Sequence, residues 1–171
     1  MRSILLRALV PTDDAGLVFK HVTDFARYPS ISADVRFVEV SPAQDGPQRT
    51  VWEVNFRRGL MRWTEEEVID PDRLHVAFHQ VAGDFDDFHG AWQLTPAGPD
   101  TEVLFEVTYD FGIDSLAGIM DPLAERVIKR AICAVLAGVV GEVTVLDGGS
   151  ALTDLDELSP ESGIHIHKGG R

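Results

Sequence analysis

Between Val35 and Phe111 the chain repeats one pattern: short segments of alternating apolar and polar residues, separated by turn-forming Gly, Pro and Asp. A period of two places successive side chains on opposite faces of a strand, so each segment buries one face. Val35 to Val40, Thr50 to Arg57, Leu60 to Ile69, Leu74 to Val81, Phe88 to Leu94 and Glu102 to Phe111 read as six strands. The turns at Gln44-Asp45-Gly46-Pro47, Arg58-Gly59, Asp70-Pro71-Asp72, Gly83 and Thr95 to Asp100 are too short for parallel crossovers. They imply an antiparallel sheet that curls under its own twist.

The flanks complete the pattern. Ser3 to Val10 reads as a first strand closed by Pro11. Thr12-Asp13-Asp14 supplies capping oxygens for a helix over Ala15 to Thr23, and Ser30 to Asp34 suits a second helical turn. After Phe111 the period changes. Asp121-Pro122 is a start signal for a helix that places Leu123, Val127, Ile128, Ile132, Val135, Leu136 and Val139 on one stripe. Residues 131–140 carry no charge but fall short of the ~18 apolar residues a membrane span needs. From Asp147 the composition shifts to Gly, Ser, Asp and Glu, which suits an acidic flexible tail over 147–171. The expected architecture is therefore α+β. One domain over 1–146 wraps a curved seven-stranded antiparallel sheet around a long C-terminal helix, with two short helices after the first strand.

A formal charge of −13 argues against a nucleic-acid partner, which requires clustered Lys and Arg. The single cysteine, Cys133, rules out an internal disulfide and reads as a buried, inert thiol. The apolar start is interrupted by Arg7 and lacks a small-residue cleavage site, so a cytoplasmic protein is expected. The uncharged helix end is a candidate dimer surface, leaving monomer and homodimer both open.

The stretch from Val51 to Leu94 mixes large aromatics with ionisable groups, as a lined cavity would. Trp52, Trp63, Phe88, Trp92, Phe105 and Tyr109 form the aromatic set suited to stacking a flat apolar ligand, with Tyr28 beside them. Tyr28 and Tyr109 also offer hydroxyls to ligand carbonyls. Glu65 and Glu67 share the face of Trp63 if the fourth strand is regular; a bulge there would turn Thr64, Glu66 and Val68 inward instead. Buried together, the two carboxyls would have raised pKa values suited to acid/base work. His79 is a third candidate for proton transfer, facing cavity or solvent, with His75 on its face. Asp84, Asp86, Asp87 and His89, like His165 and His167, match no ligand spacing, so no metal is expected.

The order of elements, with VFKHVTDFARYP early and DFDDFHGAWQL before the last long strand, resembles the START-like, Bet v 1-type helix-grip superfamily. Within it, Asp24 to Pro29 and Gly83 to Trp92 resemble the polyketide cyclase/dehydrase and coenzyme-Q-binding branch. The resemblance spans about residues 4–142. It implies a cavity for an extended polyketide or lipid-like molecule, and either a cofactor-independent cyclase/dehydratase of natural-product biosynthesis or a carrier of a lipid, quinone or polyketide. An acyl carrier protein is a candidate partner for the first. Bacterial aromatase/cyclases are similar in the aromatic before Pro (Tyr28-Pro29) and in Trp63. Their pocket Ser and Arg correspond by alternation to Glu65 and Glu67, and their tyrosine to Val35, so the Ser/Arg/Tyr set is absent.

Overall fold

A computed structural model describes residues 1–42, 45–56, 59–152 and 162–167, without the side chains of 114–117. Gln44, Arg57, Arg58 and tail positions 153–161 and 168–171 lie outside the described residues. The first strand, β1 (Arg2–Val10), leads into α1 (Ala15–Thr23), a 3-10 turn at Phe25–Arg27 and the short α2 (Tyr28–Ile31). Asp14 caps α1 by accepting the Leu17 N–H, as the sequence implies. The second helical turn begins at Tyr28 rather than Ser30, because Pro29 lacks an N–H and fits the first helical turn.

Six antiparallel strands follow: β2 (Val35–Ser41), β3 (Gln48–Asn55), β4 (Leu60–Asp70), β5 (His75–Gly83), β6 (Asp87–Ala97) and β7 (Asp100–Asp110). The long helix α3 (Asp114–Val140) packs across them, followed by β8 (Val143–Asp147) and, after a 3-10 turn at Gly149–Leu152, β9 (Ile164–Ile166). Sheet order is β2-β3-β4-β5-β6-β7-β1-β8-β9. The first strand thus closes beside the last hairpin strand, paired along its length from Arg2↔Tyr109 to Val10↔Thr101. This is the helix-grip arrangement. Val103, Phe105, Val107 and Tyr109 point inward, as alternation requires. No helix among the described residues is long and apolar enough to cross a membrane.

Three details differ from the sequence reading. Among the described residues the sheet has nine strands, not seven. β8 pairs antiparallel with β1, β9 pairs parallel with β8, and Val143 and Val145 are buried. Gly141, left-handed at φ 90°, ends α3 and redirects the chain into β8. Part of the supposed tail, Gly149–Leu152 and Ile164–Ile166, therefore forms ordered elements. Finally, α3 begins seven residues before Asp121, with Pro122 inside it. Pro122 removes only the bond to the carbonyl of Gly118, an exposed position where water can take its place.

Two ion pairs tie α3 to the sheet. Arg130 grips Asp34 in a bidentate pair at 2.8 Å, just before β2. Glu125 bonds Lys129 at 2.7 Å and also Arg2 of β1.

Candidate functional site

The site begins with the register of β3 against β4. Trp52 faces Trp63, Thr50 faces Glu65, and Gln48 faces Glu67, without a break along the pair. A register shift does occur beside β4, but on its other side: Thr64 pairs Ala82 and Glu65 pairs Gln80, leaving Val81 of β5 as the extra residue. β4 itself stays regular. Trp63, Glu65 and Glu67 are buried on the concave face, while Val68 is 61% exposed. The alternative with Thr64, Glu66 and Val68 inward is excluded.

Between this face and α3 lies a cavity of about 90 Å³, several times the ~10–15 Å³ that holds one water. The sheet contributes Trp52, Trp63, Phe78, Phe88, Trp92 and Phe105, and α3 contributes Val127, Ile128, Ala131 and Ile132. Phe25, Tyr28, Val35 and Phe56 close one end. Trp52 and Trp63 stack at 6.1 Å and 7°, making a flat wall. Among the described residues, Glu65 is the one ionisable group besides Tyr28 on the lining.

The two stacked indoles each feed a carboxyl. Trp63 Nε1–H donates to Glu65 Oε2 at 2.9 Å. Trp52 Nε1–H donates to Thr50 Oγ1 at 2.7 Å, and Thr50 Oγ1 bonds Glu67 Oε1. Glu65 is 5% exposed and Glu67 1%, and Glu67 Oε2 has no hydrogen-bond partner among the described residues. Burial raises the Glu65 carboxyl well above the usual carboxylate range, and the charge of Glu67 pushes it the same way against the Trp63 bond. Glu67 is also raised by burial, but the Thr50 bond opposes this. Both shifts favour a proton retained by the pair, and the larger one places it on Glu65.

This has a measurable consequence for stability. Both carboxyls have folded values above the ordinary 4.5 of the unfolded chain. Above pH 4.5 the native state holds a proton that the unfolded chain has released, so stability is full below that value and falls as pH rises into the neutral range. The expected slope is up to about 1.4 kcal/mol per pH unit for each retained proton. Urea unfolding across this window should show the decline in the native protein and a flatter profile in Glu65→Gln. An unchanged slope in the variant would show that Glu65 ionises normally.

The remaining expected residues divide. Tyr28 lines the cavity, but its hydroxyl donates to the Val22 carbonyl at 2.5 Å and is not presented to a ligand. Tyr109 is fully buried outside the cavity, and its hydroxyl donates to the Asp121 carbonyl at 2.9 Å. Its assignment as a ligand contact is corrected: the cavity lies further along β7, at Phe105. His79 is also corrected. Val76 and Phe78 take the inward positions of β5, so His79 faces solvent, 3.8 Å from Glu66.

The acidic cluster has structural explanations. Asp84 accepts the Arg62 N–H at 2.7 Å, and Asp87 pairs with His89 at 3.1 Å. No group of His, Cys, Asp and Glu among the described residues could hold a metal ion. Burial pushes the Cys133 thiol up to about 12, so it is inert as expected. Sequence reasoning missed Thr50, Phe25, Phe56 and Phe78 as site residues. Thr50 and Phe56 were legible as the positions flanking Trp52 and Val54 on one alternating face; Phe25 lies in the connection after α1 and offered no such signal.

Comparison with known proteins places this geometry in context. The family described as polyketide cyclase/dehydrase and lipid transport matches residues 14–136. No curated protein matches the chain by sequence. Among solved structures, a Thermus thermophilus protein is similar at a TM-score of 0.70 and 24% identity, over 81% of this chain and 94% of that one. The Zhui aromatase/cyclase of a Streptomyces species is similar at 0.65 and 22%, over 82% and 92%. A START superfamily protein from Mycobacterium smegmatis is similar at 0.69 and 16%, over 80% and 96%. At these identities the structures share the fold.

Proposed function

Because the chain belongs to the polyketide cyclase/dehydrase and lipid-transport family, we propose that it closes a ring on a poly-keto intermediate by aldol condensation with loss of water. The observation that carries this reading is a buried carboxyl, Glu65, held by Trp63 and pushed toward its protonated form in a cavity otherwise lined by hydrocarbon and aromatic rings. A methylene between two carbonyls enolises readily, and its enol is a carbon nucleophile. As its carbon bonds to a ketone carbon, Glu65 gives its proton to the ketone oxygen. The enol O–H proton then passes to the Glu65 carboxylate, which the Trp63 N–H stabilises. In the second stage Glu65 protonates the new hydroxyl, water leaves, and the carboxylate takes the adjacent C–H proton. Atoms and electrons balance without a cofactor.

In this reading Glu65 is the catalytic residue, Glu67 is a positioning residue that acts through it, and His79 has no part. Trp52, Trp63, Phe88, Trp92 and Phe105 fold the chain, and an acyl carrier protein presents it as a thioester. Incubation with a poly-β-keto thioester should yield cyclised, dehydrated product faster than buffer alone; product at the buffer rate would reject the proposal.

A second reading, a carrier for a lipid, quinone or polyketide, draws on the commitment of both tyrosine hydroxyls to backbone carbonyls. A carrier would show a co-purified ligand in native mass spectrometry, retained equally by Glu65→Gln, and no turnover.

A further inference from the structure

Three of the side-chain N–H and O–H groups on the cavity wall are already used within the protein. The Trp63 N–H goes to Glu65, the Trp52 N–H goes to Thr50, and the Tyr28 hydroxyl goes to Val22. Beside them on the wall stands the Glu65 carboxyl. Among the described residues, no Lys, Arg or His is part of the lining. On α3, the wall opposite, Lys129 and Arg130 form ion pairs with Glu125 and Asp34, and Arg126 is not a lining residue. Behind Glu65 sits Glu67, fully buried with one oxygen unpartnered. Among the described residues the cavity wall is therefore backed by a pair of acids and carries no positive charge.

From this we infer a specificity rule, resting on the reading of the cavity as a ligand site: the Glu65–Glu67 pair admits neutral carbonyl compounds and rejects ligands that carry an anion. A ketone, ester, lactone or thioester oxygen accepts the Glu65 proton without adding charge. A carboxylate, sulfate or phosphate would place a further negative charge beside the pair, with no cationic side chain among the described lining residues to offset it, and like charges so placed are strongly disfavoured. The rule concerns the ligand's charge and not its ring system. It assigns specificity to Glu67, which does not line the cavity, as well as to Glu65.

The test uses three probes sharing one ring system: acetylnaphthalene, methyl naphthoate and naphthoate, titrated calorimetrically into the whole protein at neutral pH. The ketone and ester should bind at least about tenfold tighter than the carboxylate. In Glu67→Gln, which preserves shape and the Thr50 bond acceptor, the carboxylate should gain severalfold while the neutral probes stay unchanged. Naphthoate binding the native protein within about threefold of its ester would overturn the rule, and so would a gap that Glu67→Gln leaves untouched. If no probe binds, the ligand-site reading falls and the rule with it. If the ester binds with the expected preference but poly-keto substrates are not turned over, the rule stands and only the cyclase reading falls.

Discussion

Glu65→Gln should lower ring closure by about 10²–10⁴-fold, the range contributed by a positioned general acid, while the fold and ligand binding persist. The substitution keeps the side chain's shape, and the amide oxygen can accept the Trp63 N–H that Glu65 Oε2 accepts now. What it removes is an acidic proton. Because burial and the charge of Glu67 push Glu65 toward its neutral form, exchanging it for a neutral amide should leave the charge of the cavity unchanged. Stability at neutral pH should thus be equal or higher, so a loss of turnover cannot be assigned to unfolding. Initial rates with a poly-β-keto thioester, beside a binding isotherm for an unreactive analogue, separate the two effects. Turnover within threefold of the native rate, with binding intact, would remove Glu65 from the chemistry.

The largest effect on stability should come from Gly90→Ala, expected to cost about 3 kcal/mol or more. Gly90 sits on β6 between the inward residues Phe88 and Trp92, where a side chain would normally enter the core. A Cβ there would lie 2.7 Å from Phe78 Cζ and 2.9 Å from Val107 Cα, and would collide with the Glu106 carbonyl oxygen. The Phe78 ring can shift, but the β7 backbone cannot without parting from β6. Phe78 also lines the cavity and stacks on Phe105 at 5.9 Å. Any variant that does fold should therefore bind ligand less well. Urea unfolding of Gly90→Ala measures this directly; a midpoint within error of the native protein would mean that the two strands do not meet as closely as described.

The parts of this molecule that were legible in the sequence are those set by a local period. Alternation in β3, β4 and β7 put Trp52, Trp63 and Phe105 inward, and the helical stripe put Val127, Ile128 and Ile132 against them. The orientation of Glu65 was not legible, because it turns on which of two neighbouring strands carries the extra residue. The answer is β5, at Val81, and nothing in the sequence of β4 reveals it. The hydroxyls were equally hidden. Tyr28 and Tyr109 were expected to address a ligand, but each bonds a carbonyl placed by a helix, Val22 in α1 and Asp121 in α3. His79 failed for a simpler reason: Phe78 competed for the inward position and won. β8 was visible as the alternation of Val143 and Val145, masked by the polar composition that follows it. Local pattern therefore determined the wall, and tertiary register determined the chemistry on it.

The central claim is that Glu65 is an uncharged carboxylic acid at neutral pH, and difference infrared spectroscopy reads this without a substrate. A protonated carboxyl shows a C=O stretch well separated from the carboxylate bands. That band should be present in the native protein at neutral pH, shift on exchange into heavy water, and vanish in Glu65→Gln. A native spectrum with carboxylate bands alone at neutral pH, unchanged in the carbonyl region by the substitution, would contradict the claim.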